Sequence, residues 1–119
     1  MEIRIVLVKE CWKSYNKGKD YVKEIEELFS CFVSNGLIDL ANMFDLYHPI
    51  WEPKSIGKVK ACEIEKSLIK GLNSIYIDKK TLSSKSTIDK MDDFILFLEN
   101  YLYACSKFPE ALIIVEKLH

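Results

Sequence analysis

Imidazole, thiol and carboxylate groups carry out much of the acid–base and nucleophilic chemistry of proteins, and this chain has few imidazoles. Its two histidines are His48, which directly precedes Pro49, and His119. No pair of histidines or cysteines has the spacing of a zinc finger, and HExxH does not occur. A histidine before a proline is more typical of a helix end or a loop than of a metal ligand. We therefore predict no metal site.

Nucleophilic catalysis is the second chemistry to consider, since the chain has four cysteines: Cys11, Cys31, Cys62 and Cys105. An activated thiol or hydroxyl needs a base beside it, and His48 is the only internal imidazole. Neither CxxC nor GxSxG occurs, and the cysteines lie among apolar residues, as is typical of reduced structural thiols. A site built from Cys62, His48 and Asp45 is the enzymatic alternative. No motif supports it, so we predict no catalytic residues and no enzyme.

Phosphate-binding loops and paired carboxylates give no further chemical signal. The four glycines are isolated from one another, so neither GxGxxG nor GxxxxGK[ST] occurs, and we predict no cofactor. Carboxylates that act as acid and base need a cleft that separates their pKa values. The adjacent pairs Glu26-Glu27 and Asp92-Asp93 fall instead on the solvent faces of predicted helices.

A block of lysines from Lys54 to Lys90 is the main argument for nucleic-acid binding. On a helix, Lys58, Lys66 and Lys70 would lie along one side, where they could follow a phosphate backbone. Arg4 is the only arginine, however, and arginine is the residue that bidentate phosphate contacts and base recognition favour. The formal net charge is −1. A nucleic-acid-associated regulatory module is therefore the alternative function, and nucleic acid is not the expected partner.

Protein binding is the function that the remaining surface features favour. The polar side of a helix predicted over 88–107 places acidic groups around a leucine and a tyrosine one heptad apart: Asp92, Asp93, Leu96, Glu99, Asn100 and Tyr103. Such a surface suits a basic protein partner. The competing interpretation is that another element covers Leu96 and Tyr103. A second candidate surface combines Glu24 and Glu27 with Trp51, which lies between two prolines and is expected to be exposed.

The strongest secondary-structure signal is the segment 88–108. Its apolar residues form two adjacent helical stripes, Ile88, Met91, Ile95, Leu98, Leu102 and Cys105, and Phe94, Phe97, Tyr101, Ala104 and Phe108. The combined apolar face is wide enough for a central helix covered on most sides. A capping box at Ser86 and Asp89 would begin it.

Strand and loop signals occur at both ends of the chain. Ile3–Val8 is an apolar run rich in β-branched residues, which predicts an interior strand. A helix is the alternative, because Ile5, Val8 and Trp12 also fit a helical stripe. Asn16-Lys17-Gly18 is a loop signal. Residues 111–116 are ambiguous: as a strand they could pair with Ile3–Val8, and as a helix they would follow Pro109 in its first turn.

Apolar spacing predicts three further helices, at 20–34, 37–47 and 58–72. Residues 49–57 contain two prolines and are predicted to be irregular, and Ser74–Asp78 is predicted as a short strand. Together these elements predict a helix-rich α+β fold whose small sheet includes the N-terminal strand. An all-α bundle is the alternative.

Length and composition indicate one globular domain over residues 1–119. Hydrophobic residues make up 49% and charged residues 29% of the chain, as in ordinary globular proteins. No apolar run approaches the roughly 20 residues of a membrane span. The N-terminus lacks the pattern of a signal peptide, so we expect a cytoplasmic protein without a membrane partner.

These observations favour a non-enzymatic protein-binding module. A small single domain with acidic patches, reduced cysteines and no catalytic motif is similar in profile to bacterial toxin-immunity and antitoxin-like proteins. That similarity implies tight binding to a cationic, nuclease-type toxin. No motif identifies a particular family, and the oligomeric state is not predicted.

Overall fold

The sheet at the centre of the fold has the N-terminal strand as its middle member. We describe a computed structural model, which defines residues 2–53, 59–79 and 85–118, with the backbone alone for 85–88. Strand β1 (Ile3–Tyr15) lies between β2 (Asp20–Val33) and β3 (Leu112–Lys117), and both are antiparallel to it. The predicted interior strand is confirmed, and the ambiguous residues 111–116 form most of a strand that pairs with it. The fold is α+β, as predicted, and the all-α alternative is excluded.

Strands β1 and β2 form a hairpin that extends well beyond the three-stranded sheet. They pair from Ile3 opposite Val33 to Tyr15 opposite Asp20, whereas β3 pairs with β1 only as far as Val8. Past Val8 the two strands continue alone, and the molecule measures 65 × 29 × 24 Å. We call this two-stranded extension, residues 9–26, the hairpin arm.

The arm ends in a tight turn. Asn16, Lys17 and Gly18 have positive φ angles of 54°, 57° and 81°. The Lys19 amide donates a hydrogen bond to the Asn16 carbonyl at 3.2 Å. This hydrogen bond makes Lys17 and Gly18 the two central residues of the turn, and both have positive φ. Positive φ at both central residues is typical of the turn type whose twist matches that of a β-hairpin. The loop predicted here is confirmed.

The helix predicted at 20–34 is wrong, because this segment is β2. Its lysine and glutamates favour a helix locally, but pairing with β1 along the whole segment overrides that preference. A bulge contributed to the error: Leu7 lies opposite Phe29 and Val8 opposite Glu27, so Leu28 is an extra residue. No single two-residue alternation therefore runs through β2, and apolar residues from both of its faces coincide with helical spacing.

Four α-helices occur in the described ranges: α1 (Ile38–Met43), α2 (Tyr47–Trp51), α3 (Ala61–Lys79) and α4 (Lys85–Lys107). The helix predicted over 88–107 is confirmed by α4. The helix predicted over 58–72 corresponds to α3, which continues through Ser74–Asp78, so the short strand predicted there is wrong.

The region between α1 and α3 differs from the prediction in two places. The helix predicted over 37–47 is broken, because Asp45 adopts a positive φ of 56° between α1 and α2. Pro49 lies in the first turn of α2, where a proline removes no helical hydrogen bond, so Pro49–Trp51 is helical and not irregular.

Helix α4 forms the centre of the core, as its two apolar stripes predict. Met91, Phe94, Leu98 and Tyr101 are buried in one apolar cluster that includes the Ile3, Ile5 and Leu7 face of β1 and residues of α1, α2 and α3.

Two expectations fall outside the described residues. The capping box depends on the side chain of Ser86, and the part of the predicted irregular segment that follows Pro53 is residues 54–57. Of the helices that the structure describes, none has both the length and the apolar character that crossing a bilayer requires.

Candidate protein-binding surfaces

The outer side of α4 carries the first surface predicted from the sequence. Asp92, Asp93, Glu99 and Asn100 are exposed there. Leu96 is 61% exposed and Tyr103 is 68% exposed, so nothing in the described part of the chain covers them. The structure places all six residues on one exposed side of the helix, and their role in binding stays a prediction.

Helix α3 runs antiparallel beside α4, and polar contacts connect the two along this side. The Tyr76 hydroxyl donates a hydrogen bond to Glu99 Oε1 at 2.5 Å. Farther along the pair, the Ser106 hydroxyl donates to Glu65. These contacts fix which residues of the two helices lie at the same level.

Two apolar side chains of α3 join this surface, and the sequence analysis missed them. Ile69 and Tyr76 are partly exposed and one heptad apart, on the side of α3 that faces outward along α4. Ile69 lies at the level of Tyr103, and Tyr76 at the level of Leu96. Their spacing is a signal that the sequence contains, but the predicted helix ended at 72. We call Ile69, Tyr76, Leu96, Glu99 and Tyr103 the α3–α4 face.

The carboxylates around the α3–α4 face differ in whether a neighbouring side chain forms an ion pair or a hydrogen bond with them. Lys79 Nζ forms an ion pair with Asp92. The hydrogen bond to Glu99, together with partial desolvation, raises the pKa of the Tyr76 hydroxyl. Within the described ranges Asp93 forms no ion pair. Asp93 and Glu99 are therefore the carboxylates most available to a cation of a partner.

The second predicted surface is not brought together by the fold. Glu24 pairs with Lys13 at 2.9 Å and Glu27 pairs with Arg4 at 2.6 Å, on opposite faces of the hairpin. Arg4 is also bound by Glu116 at 3.2 Å. Two hydrogen bonds lower the pKa of the Glu27 carboxyl. The one from the Arg4 guanidinium has the larger effect, and the one from Ser30 has the smaller.

Trp51, the third member of that surface, was expected to be exposed, and this is wrong. It is 6% exposed and stacks on Tyr47, with ring centroids 5.6 Å apart and an interplanar angle of 9°. The short helix α2 explains the difference, because it turns the indole back onto the core instead of leaving it in an extended loop. The Trp51 indole nitrogen has no hydrogen-bond partner among the described residues.

A strongly exposed apolar surface lies on the hairpin arm, and the sequence analysis assigned none of its apolar residues to a site. Trp12, Tyr21 and Ile25 are 67%, 64% and 62% exposed. Their cross-strand partners are Lys23, Ser14 and Glu10 respectively. Because consecutive side chains of a strand alternate between faces, the three apolar residues lie on the same face of the ribbon. We call Trp12, Tyr21 and Ile25 the arm's apolar face.

The residues of the enzymatic alternative are not joined in the structure. Cys62, His48 and Asp45 are exposed, and no hydrogen bond or ion pair connects them within the described part. Cys62 also departs from the expectation that each cysteine lies among apolar residues. Burial raises the pKa of the Cys31 and Cys105 thiols to about 12, so both are protonated and poorly nucleophilic at neutral pH.

The lysines of the block from Lys54 to Lys90 differ in whether they form ion pairs. Lys60 pairs with Glu110 at 2.8 Å and Lys79 pairs with Asp92, whereas Lys66 and Lys70 are exposed on α3. Lys58, which was expected to continue that row, lies outside the described residues. The basic row that the structure shows is therefore short.

Comparison of the chain with protein-family models, with curated proteins and with solved structures gives no match. The function is consequently argued from the surfaces. Of these, the α3–α4 face combines apolar and acidic groups, and the arm's apolar face is the more exposed.

Proposed function

We propose that this chain is a non-enzymatic protein-binding module that binds a basic protein on the α3–α4 face. The observation that carries the proposal is the exposure of Leu96 and Tyr103 between acidic side chains on an otherwise well-packed helix. Large apolar side chains at the centre of a patch supply most of the binding energy, and charged groups around them select the partner. Basic side chains of the partner would face Asp93 and Glu99.

Within that class, we propose an immunity or antitoxin-like role in the cytoplasm, in which tight binding neutralises a cationic, nuclease-type toxin. The chain's formal net charge is only −1, so the attraction would come from local acidic groups and not from the overall charge. Such steering raises the association rate and weakens as salt is added.

An affinity capture tests the proposal. The tagged protein is incubated with lysate of its source cell after nuclease treatment, and the captured proteins are compared with those of a Leu96→Ala/Tyr103→Ala variant. An Ile77→Ala variant is the matched control, because Ile77 is 67% exposed on α3 but points away from α4.

The proposal predicts one basic protein in stoichiometric amount, retained by the wild type and by Ile77→Ala and lost from the double variant. The immunity role further predicts that expression of the captured protein arrests growth and that co-expression of this chain restores it. Capture of nucleic acid that nuclease and salt remove would instead favour the regulatory alternative based on the lysine block.

A further inference from the structure

The arm's apolar face is arranged symmetrically about its own centre. Trp12 and its partner Lys23 lie at the middle of the arm, and Tyr21 and Ile25 lie two residues to either side of Lys23 on β2. A two-fold axis at the level of Trp12 therefore places each Trp12 against its copy. The same axis places Tyr21 of one arm against Ile25 of the other.

The charged side chains on the arm's apolar face are compensated within each arm. Side-chain alternation places Glu10 and Lys23 on the face that carries Trp12, and Lys23 Nζ forms an ion pair with Glu10 Oε2 at 3.0 Å. Lys13 and Glu24 form their ion pair on the opposite face. The two copies of Lys23 near the axis therefore each have their own counterion, and an isologous face-to-face contact needs no charge from the partner.

The exposed area suits an interface of standard size. Each aromatic residue of the face leaves roughly 130 Å² exposed, and the three apolar side chains together leave on the order of 300–400 Å² per arm. A standard interface buries about 800 Å² per partner, of which a little over half is apolar. The arm's apolar face would supply most of that apolar share.

Two modes of pairing are available to the arm, and they differ in what they bury. The outer edge of β1 is unpaired past Val8 in the described structure, so two arms could join edge to edge. That mode would leave Trp12, Tyr21 and Ile25 exposed on one side of the enlarged ribbon. Packing face to face removes all three from water, and this is the favoured mode because it gains the apolar burial.

We propose that two copies of this chain associate through their hairpin arms, antiparallel and face to face, with the two Trp12 side chains at the centre. This inference does not depend on the α3–α4 face, which lies on the helices and stays free in the dimer. Its test and the capture experiment can therefore fail independently.

Sedimentation equilibrium of the purified full chain over a range of micromolar concentrations measures the association. We expect a dimer, with a dissociation constant that Trp12→Ser raises about tenfold or more, as loss of a central aromatic residue does. Ile77→Ser is the control, since it removes an equally exposed apolar side chain outside the arm. Circular dichroism checks that each variant keeps its fold.

A substitution on the opposite face of the arm distinguishes packing through the Trp12 face from packing through the other face. Val22 is 44% exposed and lies opposite Lys13, on the face that does not carry Trp12. Val22→Ser should therefore leave the dissociation constant close to that of the wild type.

A wild-type chain that stays monomeric at several hundred micromolar would overturn the proposal. So would a dimer that Trp12→Ser leaves intact, or one that Val22→Ser weakens as much as Trp12→Ser does.

Discussion

At the scale of single residues, Gly71 is the glycine with the tightest surroundings among those that the structure describes. An ideal Cβ at this position would lie 2.6 Å from three side-chain carbons of Leu46, which is fully buried at the start of α2. The absence of a side chain at Gly71 therefore allows α2 and α3 to approach each other.

We predict that Gly71→Ala destabilises the fold although alanine is the better helix former. The gain in helix propensity is about 1 kcal/mol, whereas overpacking a closed core costs about 1–3 kcal/mol. Urea unfolding should show a net loss of about 1 kcal/mol. Asn73→Ala, at an exposed position of the same helix, should be neutral or slightly stabilising. Gly71→Ala equal in stability to the wild type would mean that α2 does not pack here.

The turn of the arm gives a second prediction for a single residue. Gly18 has a φ of +81° and no atom within 4 Å of an added Cβ, so only the backbone conformation opposes a side chain there. Gly18→Ala should destabilise the fold by about 1 kcal/mol. Gly36→Ala is the control, because Gly36 lacks a positive φ and its Cβ would meet Ser34 Oγ at an ordinary 3.6 Å. Equal unfolding free energies for both variants would contradict the turn.

At the scale of elements, the Arg4–Glu27 pair connects the two longest strands across the bulge. Its hydrogen bond lowers the pKa of Glu27 below the ordinary value of 4.5. A lowered carboxyl pKa means that the pair contributes stability above the unfolded-state pKa, and that this contribution is lost as the pH falls through the folded-state pKa.

We therefore predict that Glu27→Gln lowers stability at neutral pH and removes part of the loss of stability below about pH 4.5. The effect should be small, since both side chains are partly solvated. Urea unfolding between neutral and acid pH measures it. Glu26→Gln is the control, because Glu26 forms no ion pair with the described residues. Parallel pH profiles for the two variants would show that the pair does not contribute.

The elements also show how far sequence patterns determine this fold. The wide stripes of α4 have one interpretation, because a core position constrains every residue along them. The apolar run at Ile3–Val8 left a helix as the alternative, which its pairing with two strands excludes. Segment 20–34 gives the wrong prediction, since its local composition favours a helix while its long-range pairing with β1 makes it a strand. Pairing with a distant segment leaves no local signal, and the extra residue Leu28 obscured the alternation that remained.

In the candidate sites, too, features set by local structure were predictable and features set by long-range packing were not. The exposed side of α4 was correctly located, because a helix fixes which side its residues occupy. Trp51 was wrongly expected to be exposed, since its burial depends on how the short helix α2 docks. The arm's apolar face was missed because the strand predicted at Ile3–Val8 stops before Trp12, while Tyr21 and Ile25 fall in the segment predicted as a helix.

At the scale of the whole molecule, two separate surfaces serve two separate interactions in this account. The α3–α4 face would bind the basic partner, and the hairpin arm would join two copies of the chain. A dimer would present two α3–α4 faces, so partner binding should be twofold and without dependence on Trp12. Titration of the captured partner into Trp12→Ser should give the same affinity per chain as the wild type.

The measurement that tests the central claim most directly is the affinity of the captured partner for Leu96→Ala/Tyr103→Ala, by calorimetric titration beside wild type and Ile77→Ala. The account predicts a loss of at least about a hundredfold in the double variant, since two central side chains of an interface are removed. Ile77→Ala should bind like the wild type. An unchanged affinity in a folded double variant would contradict the assignment of partner binding to the α3–α4 face.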